Sequence, residues 1–108
     1  MKYVCAQPAT KYYAWQIDTM LHSFRKQNVN LEDVHVVCAI HGNVDPHYEL
    51  MVTKYPGVTF EFYDDTRAER GYISSIRPHI LQKHFDKYPD LYKHHIFYHD
   101  CDIGVVDL

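Results

Sequence analysis

The segment VHVVCAI, Val34 to Ile40, is apolar at every position but one. A strand with one wet face alternates apolar and polar residues, whereas a nearly continuous apolar strand is covered on both faces. Sheets covered on both faces are typically parallel, and parallel neighbours need crossovers long enough to hold a helix. The rest of the chain supplies those crossovers. Tyr3 to Ala6 is a short apolar run that ends at Gln7-Pro8. Tyr13, Ile17, Met20, Leu21 and Phe24 then fall at helical spacing, which predicts a helix from Thr10 to about Lys26. Turn formers in QNVNLED close it. After VHVVCAI, Asp45 and Pro46 suit a helix start, and that helix should stop before YPG. Val58, Phe60 and Phe62 alternate with polar partners as a third strand. Ile76, Ile80, Leu81 and Phe85 mark a longer helix from about Ser74 or Ser75, and Ile96 to His99 a fourth strand. The order is βαβαβαβ, with strands expected at 2–6, 34–40, 58–63 and 95–99 in the spatial order 3-2-1-4.

At 108 residues this is one domain, with no internal repeat and no flexible linker. Eleven Lys and Arg are scattered within a net charge of −3, so a nucleic-acid face is not indicated. The longest apolar runs are strand-sized and too short to span a bilayer, and MKYVCAQP has no signal-peptide core. Cys5, Cys38 and Cys101 are odd in number and lie in or beside apolar runs. They read as buried reduced thiols, as in a cytoplasmic protein.

In parallel sheets ligands gather at the carboxyl ends of the strands. Gln7-Pro8, His41-Gly42-Asn43, Asp64-Asp65-Thr66-Arg67 and Asp100-Cys101-Asp102 all fall there. The last of these follows an apolar lead-in, IFYH, read as buried. Two carboxylates one residue apart can converge at a strand-to-turn transition on a hard cation such as Mg²⁺ or Mn²⁺, which keeps open positions for phosphate oxygens. The competing reading has Asp100 and Asp102 cap the strand and face water. Arg67, Arg70 and Arg77 precede or open the third helix, where arginines can grip a diphosphate; local ion pairs in a solvated loop are the plainer alternative. No Cys or His spacing matches a structural zinc site, despite nine histidines. His22, His35 and His84 read as surface or strand residues. Glycine-rich phosphate loops and a serine nucleophile elbow are both missing.

Taken together, IFYHDCDIGVV after alternating β and α units resembles the Asp-x-Asp segment of the nucleotide-binding half of GT-A-type glycosyltransferases. YVCAQP is similar to the first strand of that family, FYDDTR to its third-strand end, and SSIRPHILQKHF to the helix before the motif. The resemblance implies a GT-A-like (Rossmann-like) α/β fold and a nucleotide-diphospho-sugar donor (a UDP- or GDP-sugar). It further implies Mn²⁺ or Mg²⁺ held by Asp100 and Asp102, and an unknown glycan, protein or small-molecule acceptor. By the same resemblance Ala6, Gln7 and Pro8 border the nucleoside, Asp65 meets its base or ribose, and Arg77 lies on the diphosphate side. GT-A domains usually continue past the motif to an acceptor half carrying any catalytic base. The expectation is therefore a metal-dependent glycosyltransferase or its N-terminal fragment, a partial GT-A domain that by itself shows donor binding at most, with the base assigned to no residue here.

Two other readings stay open. DCDIGVVDL is also similar to the phosphatase motif of the haloacid-dehalogenase superfamily, although that motif normally opens its domain, with its other catalytic groups downstream. The third reading is a small non-catalytic α/β binding module whose aspartates are structural.

Overall fold

A computed structural model describes residues 1–42, 44–66 and 76–101. Four strands form one parallel sheet: β1 (Lys2–Pro8), β2 (Val34–Ile40), β3 (Thr59–Asp64) and β4 (Ile96–Tyr98), in the order β3-β2-β1-β4. This is the order expected from the sequence, and the strand positions agree to within a residue or two. The register sets Cys5 beside Val36, Gln7 beside Cys38, and Ile40 beside Asp64. β4 joins β1 through only three pairs, ending at Val4 with Tyr98.

Helices α1 (Lys11–Lys26) and α2 (His47–Lys54) cover one face and α3 (Ile76–Lys87) the other. The period-two alternation of strands decides which residue meets which helix. Cys5, Val34, Val36 and Cys38 pack with Ile17, Met20, Leu21 and Phe24 of α1 and Met51 of α2. Val4, Ala6, Val37 and Ala39 pack with Ile76 and Ile80 of α3. A strand buried on both sides has no place for alternation, which is why VHVVCAI lacks it. The chain moves outward from β1 to β3 under one layer of helices and returns across the other layer to β4. Right-handed crossovers give this arrangement.

Local signals close the elements. Val29 N–H donates to Phe24 O (2.9 Å) and Asn28 N–H to Arg25 O (3.2 Å), with Asn28 at φ 63°, so α1 ends in a Schellman turn. The Asp45 carboxylate accepts from His47 N–H at 2.9 Å, capping α2 as its position suggested. Ser74 and Ser75, expected to begin the third helix, lie outside the described residues.

Two sequence expectations are corrected. His84, read as a surface or strand residue, is fully buried on the helix α3, whereas His35 is on strand β2, where it is buried. His84 Nε2 lies 3.0 Å from His35 Nδ1, and its Nδ1 lies 2.8 Å from the Tyr63 hydroxyl. Each ring nitrogen has a partner, so the polarity that argued for the surface is satisfied internally. The lead-in IFYH is also not a buried strand: Phe97 is 46% and Tyr98 44% exposed, with His99 buried. Among the described residues β4 is the last strand of the sheet and pairs only with β1, so fewer described neighbours cover it.

Candidate functional site at the carboxyl rim

The direction of strand addition reverses between β1 and β4. Open parallel sheets form a crevice beyond the strand carboxyl ends at such a point. Ala6 presents its carbonyl there and accepts a hydrogen bond from Arg77 Nε at 2.9 Å. This bond, across 71 positions of sequence, fixes a half-buried guanidinium at the end of β1. The two terminal nitrogens of Arg77 bond to no described residue, so its paired donors remain available. Across the crevice, His99 N–H donates to Val4 O (3.1 Å), extending the ladder one step beyond β4. Asp100 is exposed beyond that step, while Cys101 turns inward, its thiol 3.3 Å from Gln16 Oε1. Asp102 lies outside the described residues. Burial pushes the Tyr98 phenol up, with Arg77 pulling it down and Asp100 pushing it up.

Gln7 is not an open ligand group. It is buried, and its amide donates to Val37 O (3.1 Å) and the Cys38 thiol (3.4 Å). Its Oε1 is buried with no partner among the described residues, an unmet acceptor beneath the rim. Pro8 ends β1 beside Ala39, and Ala9 N–H donates to Ala39 O at 2.8 Å. Ala6, Gln7 and Pro8 therefore stand at the rim as expected, with the Ala6 carbonyl turned to Arg77.

Asp65 lies on the same end of the sheet as Asp100, one step past β3, with its N–H donating to Ile40 O at 3.2 Å. Its side chain has 0% exposure and meets His41 Nε2 at 2.5 Å, whereas the His41 side chain is 41% exposed. A ligand over this part of the rim meets His41 before Asp65. Together with Gly42, Asp64 and Thr66 they line a cleft of about 560 Å³. Gly42 has φ +93°, a conformation side-chain-bearing residues rarely adopt, and it turns the chain out of β2 directly after His41. The far wall is tied to α3: Lys83 Nζ donates to Asp64 O and Thr66 Oγ1, each at 2.9 Å, and His79 Nε2 accepts from Thr66 N–H at 3.3 Å. The sequence placed His41 on the rim but gave it no role. The available signal was its position one residue past a strand whose neighbour ends in an acidic pair. Asn43, Arg67 and Arg70 lie outside the described residues.

The cysteines add no nucleophile. All three are buried and none forms a disulfide, and burial, the largest cause for both, pushes the Cys5 thiol well up and the Cys38 thiol up to about 12. Among the described residues no group of three His, Cys, Asp or Glu side chains is placed to hold a metal ion. Asp100 offers one exposed carboxylate, a hard donor suited to a cation that fills its other positions with water and phosphate. Among the described residues no helix is long and apolar enough to cross a membrane.

Compared with known proteins, the chain matches no family model, no curated sequence and no solved structure.

Proposed function

We propose that this chain binds a nucleotide-diphospho-sugar together with Mn²⁺ or Mg²⁺, as the donor-binding part of a GT-A-type glycosyltransferase. The observation that carries the reading is that Arg77, held on the Ala6 carbonyl, and the exposed Asp100, one residue past the His99-to-Val4 bond, both stand at the carboxyl rim where the strand order reverses between β1 and β4. A diphosphate needs donors and positive charge, and Arg77 is already oriented by the Ala6 carbonyl, which lowers the ordering cost on binding. Asp100, with Asp102 as second ligand, would hold the cation that neutralises charge on the diphosphate. Ala6, Gln7 and Pro8 form the nucleoside border, and Asp65 contributes through the orientation it gives His41.

Transfer itself is assigned to no residue of this chain. The test is calorimetric titration with UDP- and GDP-sugars, with and without Mn²⁺, for wild type, Asp100→Asn and Asp102→Asn. Phosphate release from an aryl phosphate would favour the phosphatase reading instead.

A further inference from the structure

The outward side of the α1–α2 layer carries an exposed aromatic beside an ordered polar network. Trp15, Asp18, Thr19 and His22 are spaced i, i+3, i+4 and i+7, so they share one face of α1. They line a groove of about 300 Å³ that His47 and Lys54 of α2 complete. Trp15 is 67% exposed there, although tryptophan is highly buried on average.

Asp18 organises the polar side of the groove. Its Oδ2 accepts from His47 Nε2 (2.8 Å), and its Oδ1 accepts from the Tyr55 hydroxyl (2.6 Å) and Lys54 Nζ (3.1 Å). The carboxylate is thus fully compensated, and its part is to orient the groups around it. An ionised carboxylate only accepts, so His47 carries its proton at Nε2, and in the neutral ring the lone pair lies at Nδ1. That nitrogen bonds to no described residue. Lys54 reaches both Asp18 and Tyr55, which leaves one of its three ammonium donors over. The Trp15 indole N–H also bonds to no described residue.

These features select a class of ligand. With its imidazoles neutral, the lining holds one negative and one positive charge, already paired, so neither an anion nor a cation finds an uncompensated partner. The open positions are of both kinds, an acceptor on His47 and donors on Lys54 and Trp15. Hydroxyl groups suit such a mixture because each one donates and accepts. The flat indole offers an apolar surface to the C–H face of a ring, and the volume stands at the lower end of the range for ligand pockets.

We propose that the groove between α1 and α2 binds one neutral saccharide ring, with its C–H face against Trp15 and its hydroxyls on His47 and Lys54. The site needs neither metal nor diphosphate, so it stands or falls separately from the function proposed above.

Trp15 is the only tryptophan in the chain, so its indole N–H gives one NMR signal that needs no assignment. The test is titration of ¹⁵N-labelled protein, in EDTA at slightly alkaline pH, with the methyl glycosides of glucose, galactose, mannose and N-acetylglucosamine. Maltotriose and chitotriose form a second arm, and inorganic phosphate is the control. The indole signal should shift saturably with at least one sugar and stay in place with phosphate. A response to a methyl glycoside assigns a single ring, a response to a trisaccharide alone assigns a ring within a chain, and either supports the site. Trp15→Ala, a change at an exposed position, should weaken the responding sugar by about tenfold or more in sugar-observed NMR, as should His47→Ala. Unchanged binding by Trp15→Ala would overturn the proposal. So would an indole signal unmoved by tens of millimolar of every sugar, one that follows phosphate equally, or one that moves only with protein concentration, which would assign the face to a second copy of the chain.

Discussion

Acidification should destabilise the protein in a window set by His84. This ring is fully buried on α3 between His35, Tyr63 and Tyr88. Burial, and then the neighbouring His35, hold its pKa down from 6.5 to about 4, against a smaller upward pull from Glu61. The folded state therefore keeps His84 neutral while the unfolded chain protonates it near 6.5. A depressed folded pKa means the contribution is complete above pH 6.5, is lost as pH falls, and is gone below about pH 4. At about 1.4 kcal/mol per pH unit of separation, the full loss is about 3 kcal/mol, a large part of the roughly 5–15 kcal/mol that stabilises a domain. The groups facing the pair act in the same direction. Burial lowers His35. Burial alone would raise Glu61, but hydrogen bonds from Lys87 and Tyr88, both 2.6 Å, outweigh it and hold the carboxyl below its ordinary value. The assay is urea unfolding followed by far-ultraviolet circular dichroism across pH 7 to 4, for wild type and His84→Gln. The wild type should lose stability more steeply between pH 6.5 and 4 by about one proton, and the variant should lack that increment. Equal slopes in the two proteins, or wild-type stability constant down to pH 4.5, would refute the reasoning.

Two further outcomes follow from the same packing. Burial would raise Asp18, but hydrogen bonds from Tyr55 (2.6 Å), His47 (2.8 Å) and Lys54 (3.1 Å) bring its pKa to about 2 from 3.8. Its contribution, about 2 kcal/mol, should be present above pH 3.8 and disappear as pH falls to about 2; Asp18→Asn should lower the thermal midpoint at pH 7 and remove that window. Cys5 and Cys38 should not react with a thiol reagent in the native protein and should react fully in urea; rapid native labelling of either would contradict their burial.

The fold was legible in the sequence because its signals are local. VHVVCAI without alternation implies two covered faces, and the α1 stripe Ile17, Met20, Leu21 and Phe24 is buried as its spacing predicts. The right-handed crossover rule then leaves few orders for four strands. What stayed hidden were pairings between distant segments. His84 looks polar until Tyr63 and His35 are brought to its two nitrogens, and Asp65 looks like a ligand group until His41 is brought beside it. Arg77 is held at the end of β1 by the Ala6 carbonyl, yet no spacing in RPH indicates a backbone carbonyl as its partner. The exposure of Phe97 and Tyr98 escaped for a related reason: an edge strand and a central strand share a composition, and only the sheet order separates them.

The central claim is that Asp100 and Asp102 hold a cation for a diphosphate gripped by Arg77. Calorimetric titration of UDP- and GDP-sugars into wild type and Asp102→Asn, each with Mn²⁺ or EDTA, tests it most directly. The amide keeps the shape of the side chain but removes the charge a hard cation requires. Wild type should bind a nucleotide-sugar only with Mn²⁺, and Asp102→Asn should bind at least about tenfold more weakly with its thermal midpoint nearly unchanged, as expected for the loss of a charged partner. Binding that ignores the metal, or equal binding by both proteins, would contradict the account and leave the aspartates as the turn that ends β4.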